Sequence, residues 1–190
     1  MLQKPNSIRF AIFSLAKIST AIHLGYLLSN RIRVRYTQYD RDKQIWDWPT
    51  NLVENYSSIK TSRLMNEINE KISEFIVKVS LSAKINNRHL AGLEIPIDNA
   101  VDIYIKDPNE EWLKSEAQVI EVGRKFREVL RNLREFTPNL KTIHVFYAGP
   151  TSCAIAIGQQ INPSMNPIIQ LYEYDYRSKP YYSKSIRLGE

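Results

Sequence analysis

Two short turns hold the residues best suited to bind an anion. They are Ser14-Leu15-Ala16-Lys17 and Ala148-Gly149-Pro150-Thr151-Ser152, each following an apolar, strand-like run. Where a strand hands over to a helix, the first helical N–H groups and the positive dipole end bind phosphate without a special side chain. Lys17 adds charge at the first turn. Gly149 and Pro150 let the backbone approach a ligand, or simply make a good turn. Thr151 and Ser152 suit helix capping better than nucleophilic attack, because no base lies near them in sequence. Arg41 and Lys43 follow the strand end Tyr39-Asp40, where a phosphate would lie. Trp46 and Trp48 are two residues apart and share a face if extended. A base stacked on such a ring gains about 1–3 kcal/mol, and core closure is the competing role. Tyr172, Tyr174 and Tyr176 alternate near the other end of the chain. The candidate ligand-binding set is Ser14, Leu15, Lys17, Tyr39, Arg41, Lys43, Trp46, Trp48, Ala148, Gly149, Pro150, Thr151, Ser152, Tyr174 and Tyr176. No residue is assigned to catalysis or to a metal.

Composition narrows the chemistry further. The chain has 190 residues, 43% hydrophobic and 24% charged, which is globular rather than disordered. One cysteine, Cys153, excludes an internal disulfide, and three scattered histidines do not give zinc spacings. There is no Walker A loop, GxGxxG, HExxH or GxSxG, so a conventional nucleotide hydrolase or metalloenzyme is disfavoured. The net charge of +6 is concentrated in residues 1–50, with eight basic against three acidic side chains. A local excess of this size suits an anionic ligand better than a long nucleic-acid track. Arg31, Arg33 and Arg35 alternate with Ile32, Val34 and Tyr36, so the arginines share one strand face, either solvated or facing a ligand. Lys17 and His23 interrupt the apolar stretch Phe10–Leu28, which is too broken for a membrane span of about 20 apolar residues. A soluble, cytoplasmic protein is expected.

The elements that position these residues read as α/β. Ile8–Phe13 is a strand, Ile18–Ser29 a helix and Ile32–Tyr39 a strand: a βαβ-like unit of a parallel sheet. Asp40–Thr50 reads as a loop, Ser62–Lys71 as weakly helical, and Glu74–Leu81 and Ala100–Ile105 as strands. Glu110–Phe136 is the clearest helix, with an apolar stripe from Val119 to Leu133. Thr142–Tyr147 is a strand, Cys153–Gln160 a short helix, Ile168–Tyr174 a strand, and Arg177–Glu190 an extended or disordered tail. His23, His89 and His144 read as structural, and Cys153 as a small buried residue.

An internal repeat underlies this order. Sliding the chain by 133 residues places Phe13 on Phe146, Ser19 on Ser152, Ala21 on Ala154, Ile22 on Ile155 and Gly25 on Gly158. A two-residue insertion then places Tyr39-Asp40 on Tyr174-Asp175. A strand–turn–helix–strand unit therefore occurs twice. Ligands of parallel α/β sheets bind beyond the C-terminal strand ends. Two facing copies frame a cleft for a ligand with several phosphates and its own approximate rotational symmetry.

Phe13-Ser14-Leu15-Ala16, His23-Leu24-Gly25-Tyr26-Leu27-Leu28, Tyr39-Asp40-Arg41-Asp42 and Trp46-Asp47-Trp48-Pro49 resemble the first half of SAVED domains. His144 through Pro150, Ala154-Ile155-Ala156-Ile157-Gly158 and Gln170-Leu171-Tyr172-Glu173-Tyr174-Asp175 resemble the second half. The resemblance implies an α/β fold of two fused, pseudo-symmetric Rossmann-like (CARF-like) units with largely parallel sheets. It divides a single domain, 1–190, into halves at 8–100 and 101–176 and a tail at 177–190. It implies a sensor of bacterial antiphage defence (CBASS or type III CRISPR) that binds a cyclic oligonucleotide, a cyclic tri- or tetra-adenylate, between its halves. Binding would drive homo-oligomers or filaments and activate a nuclease, TIR, protease or membrane effector outside this chain. No other cofactor is expected. Two alternatives stay open: a ring nuclease that cleaves its own ligand, and a ligand-independent assembly module.

Overall fold

The computed structural model describes residues 9–40, 44–48, 58–62 and 64–189. Strand β1 (Arg9–Ile12), helix α1 (Ile18–Leu28) and strand β2 (Arg33–Tyr36) form the first βαβ unit, with β1 and β2 parallel. The hairpin β3 (Tyr39–Asp40) and β4 (Ile45–Trp46) follows, inside the stretch expected to be an irregular loop. The main sheet comprises β5 (Lys60–Thr61), β6 (Glu74–Ser80), β7 (Ala100–Tyr104), β8 (Thr142–Ala148), β9 (Ile168–Tyr174) and β10 (Tyr182–Leu188). Its order is β10-β9-β8-β6-β7-β5; the four inner strands are parallel and both edges antiparallel. Helices α2 (Glu116–Phe136) and α3 (Thr151–Gly158) complete the fold. The sheet crosses residue 100: β6 lies at its centre, between β8 and β7.

Alternation along the strands splits the sheet into two faces. Val77, Val79, Ile143, Val145, Ile169 and Leu171 join α1, α2 and α3 in the larger core. Ile76, Phe146 and Tyr172 point the other way, into a smaller core with Ile85, Leu90 and Tyr182. Among the described residues no regular helix covers that second face; the strap from Ser82 to Ile95, with one 3-10 turn at Asn87–Leu90, does so. Ser80 pins the strap, accepting from Ile85 N at 3.2 Å and donating to Asp102 at 2.9 Å.

The repeat is visible in the strand registers. β1 pairs with β2 through Arg9↔Arg33 to Ile12↔Tyr36, and β8 with β9 through Thr142↔Ile168 to Val145↔Leu171. The second series is the first shifted by 133 residues on one strand and 135 on the other. The helices meet reciprocally as well. A Cβ on Gly25 would stand 2.1 Å from Ile155 O, and one on Gly158 would stand 2.0 Å from Ile22 O. These glycines let the backbones of α1 and α3 touch, as at an isologous interface. Gln159, at the end of α3, stitches the two copies: its amide donates to Ser29 O (2.7 Å) and Ile32 O (3.1 Å) and its oxygen accepts from the Tyr36 hydroxyl.

Three further expectations need correction. Helix α2 starts at Glu116 rather than Glu110, because Ser115 and Gln118 form a capping box and Trp112 and Leu113 are buried before it. Ser62–Lys71 is not helical among its described residues: Asn132 of α2 takes Met65 N (3.0 Å) and O (2.9 Å), and Phe136 O takes Asn69 N (2.8 Å). Helix α3 begins at Thr151, two residues early, with Pro150 at its N-cap. Of the tail expected to be extended or disordered, Tyr182–Leu188 is extended: it is the edge strand β10, with Tyr182 and Leu188 buried. Arg31, Arg33 and Arg35 are exposed while Tyr36 is buried.

Candidate functional site at the C-terminal strand ends

The C-terminal ends of β6, β8 and β9 meet the start of α1 at a cavity of about 340 Å³. Its walls are Ile18, the strap residues Ala83, Lys84, Ile85 and His89, the turn Tyr147-Ala148-Gly149, and Tyr172, Glu173, Tyr174 and Tyr182. Tyr147 shapes the turn, donating its hydroxyl to Pro150 O at 2.6 Å. A Cβ on Gly149 would meet that hydroxyl at 2.8 Å, so a larger residue there would have to displace the Tyr147 ring. Ala148 O accepts from Leu81 N and Ser82 N, both at 2.8 Å, tying the turn to the strap. Burial pushes the Tyr172 phenol up to about 12, with Glu74 adding to the effect.

The two helix starts are not equivalent. At α1, Glu173 of β9 accepts from Ser19 N (2.8 Å) and from the Ser19 hydroxyl, so a carboxylate of the chain itself sits on this N-terminus. At α3, the repeat partner Ser152 donates to Gln38, the position matching Glu173, at 3.0 Å. There the acceptor is neutral, and the N-cap residue, Pro150, supplies no side-chain cap.

The sequence candidates divide among these features. Ala148, Gly149 and Tyr174 line the cavity, and Tyr174 and Tyr176 line a neighbouring groove. Thr151 donates to Ser14 O at 2.8 Å, joining the two turns. Pro150 is the N-cap of α3. Ser152 is buried and committed to Gln38. Lys17 is exposed at the N-cap position of α1, and Leu15 is also exposed. Tyr39 and Trp46 pack together at 5.2 Å, with Phe13 edge-on to Trp46 at 5.4 Å; none of the three lines the cavity. The Trp48 indole donates to Tyr36 O at 3.1 Å and packs against the larger core. Arg41 and Lys43 lie outside the described residues.

The strap was missed. Lys84 and His89 line the cavity, yet the sequence offered no signal for them beyond residue type. His89 Nδ1 accepts from Asn86 N at 3.4 Å, and burial, then Arg88, lowers its pKa, favouring the neutral ring. His144 is structural as expected: it is 5% exposed and its Nδ1 meets the Tyr172 hydroxyl at 2.9 Å. Cys153 is fully buried, and burial pushes its thiol up. Among the described residues no group of His, Cys, Asp or Glu is arranged to hold a metal ion, and no helix is long and apolar enough to cross a membrane.

No curated protein matches the sequence. Among solved structures, the chain is similar to the Acinetobacter baumannii Cap4 SAVED/CARF-domain containing receptor with the cyclic trinucleotide 2'3'3'-cAAA: TM-score 0.64, 15% identity, covering 94% of this chain and 38% of that one. The same receptor with 3'3'3'-cAAA gives a TM-score of 0.61 at 17% identity, covering 94% of this chain and 38% of that one. The Moraxella osloensis Cap4 SAVED/CARF-domain containing receptor gives 0.55 at 18%, covering 95% of this chain and 36% of that one. The chain thus spans little more than a third of each receptor, and these likenesses establish a shared fold. The family model for the SMODS-associated and fused to various effectors sensor domain matches residues 2–188. With that match over nearly its whole length, the chain belongs to the SAVED family of sensor domains.

Proposed function

We propose that this chain is a receptor for a cyclic oligonucleotide, a cyclic tri- or tetra-adenylate, held at the C-terminal strand ends. One observation carries the reading: in a chain of the SAVED family, a cavity opens where β6, β8 and β9 end, against the turn Tyr147-Ala148-Gly149. Parallel α/β sheets bind ligands at this edge. The similar Acinetobacter baumannii receptor holds cyclic tri-adenylates. Lys84 supplies positive charge at the wall, and the uncapped start of α3 follows the turn. The chain binds rather than cleaves, acts in the cytoplasm, and signals by self-association to an effector on another domain or protein.

Calorimetric titration with cyclic di-, tri- and tetra-adenylates, with light scattering on the same samples, tests this. Sub-micromolar binding of one ring size with growth in mass is the expected result. Binding without growth removes the self-association step, and no binding to any ring removes the adenylate reading.

A further inference from the structure

The cavity of about 340 Å³ lies near the lower end of the range for drug-sized ligands. A ring of several nucleotides is larger, so on the reading above it must extend past these walls. The larger of two described spaces that share them is a groove of about 920 Å³, joined to the cavity through His89 and Tyr174; the smaller, of about 320 Å³, shares Tyr172 and Tyr182 and has Glu94 in its wall. Arg88 and Lys179 line the groove and no carboxylate does. Neither cation is in ion-pair contact with a carboxylate among the described residues. Asp175, the nearby acid of the β9–β10 turn, is occupied by Arg177 N (2.9 Å) and the Ser178 hydroxyl (3.0 Å).

The groove is also aromatic. Tyr174 is 48% exposed, and its ring lies at 26° to that of Tyr181, with 6.2 Å between centroids. The His89 ring stands 6.3 Å from Tyr174 and 6.0 Å from Tyr181. Tyr182 anchors the segment from beneath, buried against Phe146 at 4.9 Å. Exposed aromatic rings beside cations lacking acid partners match a nucleotide: the ring faces take a base, the cations its phosphate.

We propose that this groove is a nucleotide subsite, in which one base of the cyclic ligand stacks on Tyr174 and Tyr181 and its phosphate meets Arg88 and Lys179. The inference rests on the receptor reading and adds the strap and the β9–β10 turn to its site. The test titrates the full chain with the cyclic tri-adenylate rings. Tyr174→Leu should weaken binding about 5- to 150-fold, the range for one lost base stack, whereas Tyr174→Phe should bind like the parent. The double variant Arg88→Ala/Lys179→Ala should lose about tenfold or more. A ring carrying one 2-aminopurine should lose fluorescence on binding the parent and keep it with Tyr174→Leu. If the parent binds and these variants bind equally well, the subsite is overturned while the receptor reading stands. If the parent binds no ring, both fall.

Discussion

The first and second βαβ units share a register and a helix–helix contact, yet they have diverged in burial and in charge. In the second, β8 and β9 lie within a six-stranded sheet and every residue of α3 except Thr151 is buried. In the first, β1 and β2 form a separate two-stranded sheet, and Phe13 (58%) and Leu27 (66%) are exposed. The matched tyrosines each join an aromatic cluster, but Tyr39 packs on Trp46, itself against Phe13, whereas Tyr174 gathers His89 and two further tyrosines. The helix starts differ most: α1 already holds the carboxylate of Glu173, and Ser152 of α3 meets only the neutral Gln38. The contacts that join the two units are reciprocal, and those at their helix starts differ. On the proposed receptor reading, this asymmetry favours the second turn as the phosphate side.

The sharpest way to break the symmetry is at the helix crossing. Gly25→Ala and Gly158→Ala each drive a Cβ into a backbone oxygen at about 2 Å, so each should cost about 3 kcal/mol or more. Urea unfolding measures this; a variant within about 1 kcal/mol of the parent would refute the reciprocal contact. The capping difference predicts a smaller, graded effect. Glu173→Ala removes a carboxylate cap and should cost about 2 kcal/mol, and Gln38→Ala about 1 kcal/mol. Equal losses would remove the electrostatic asymmetry. A third effect is confined to the second copy. Burial lowers the His144 pKa, with Glu74 opposing, so the folded chain favours the neutral ring. As pH falls below about 6.5, the ordinary value for a free histidine, the unfolded chain binds the proton first and stability is lost. Stability should therefore decline from pH 7 to 5, with a flatter profile in His144→Gln. Smallest is the arginine face of β2: Arg33→Ser and Arg35→Ser, both exposed, should shift stability by less than about 0.5 kcal/mol.

Much of this comparison was legible in the sequence. The offset of 133, with its two-residue insertion, reappears in the strand registers because register follows from which residues must face the core. Ala148, Gly149 and Tyr174, singled out in the sequence by the strand–turn–helix pattern, line the cavity. The strap was not, because Ala83, Lys84 and His89 have no periodicity; their place depends on the Ser80 bonds and on a sheet face lacking a helix. Glu173 was passed over because its role exists only where the first helix meets the last parallel strand. The β10 strand escaped notice because three exposed residues, Ser183, Lys184 and Ser185, separate its apolar positions.

The most direct measurement compares two lysines that sequence and structure weigh differently. Lys17 stands exposed at the α1 start, where Glu173 already supplies an anion, and Lys84 lines the cavity. Calorimetric titration of Lys17→Ala and Lys84→Ala with the cyclic tri-adenylates should give a loss of about tenfold for Lys84→Ala and near-parental affinity for Lys17→Ala. The reverse order would place the ligand's phosphate on the first copy and contradict the asymmetry on which this assignment rests.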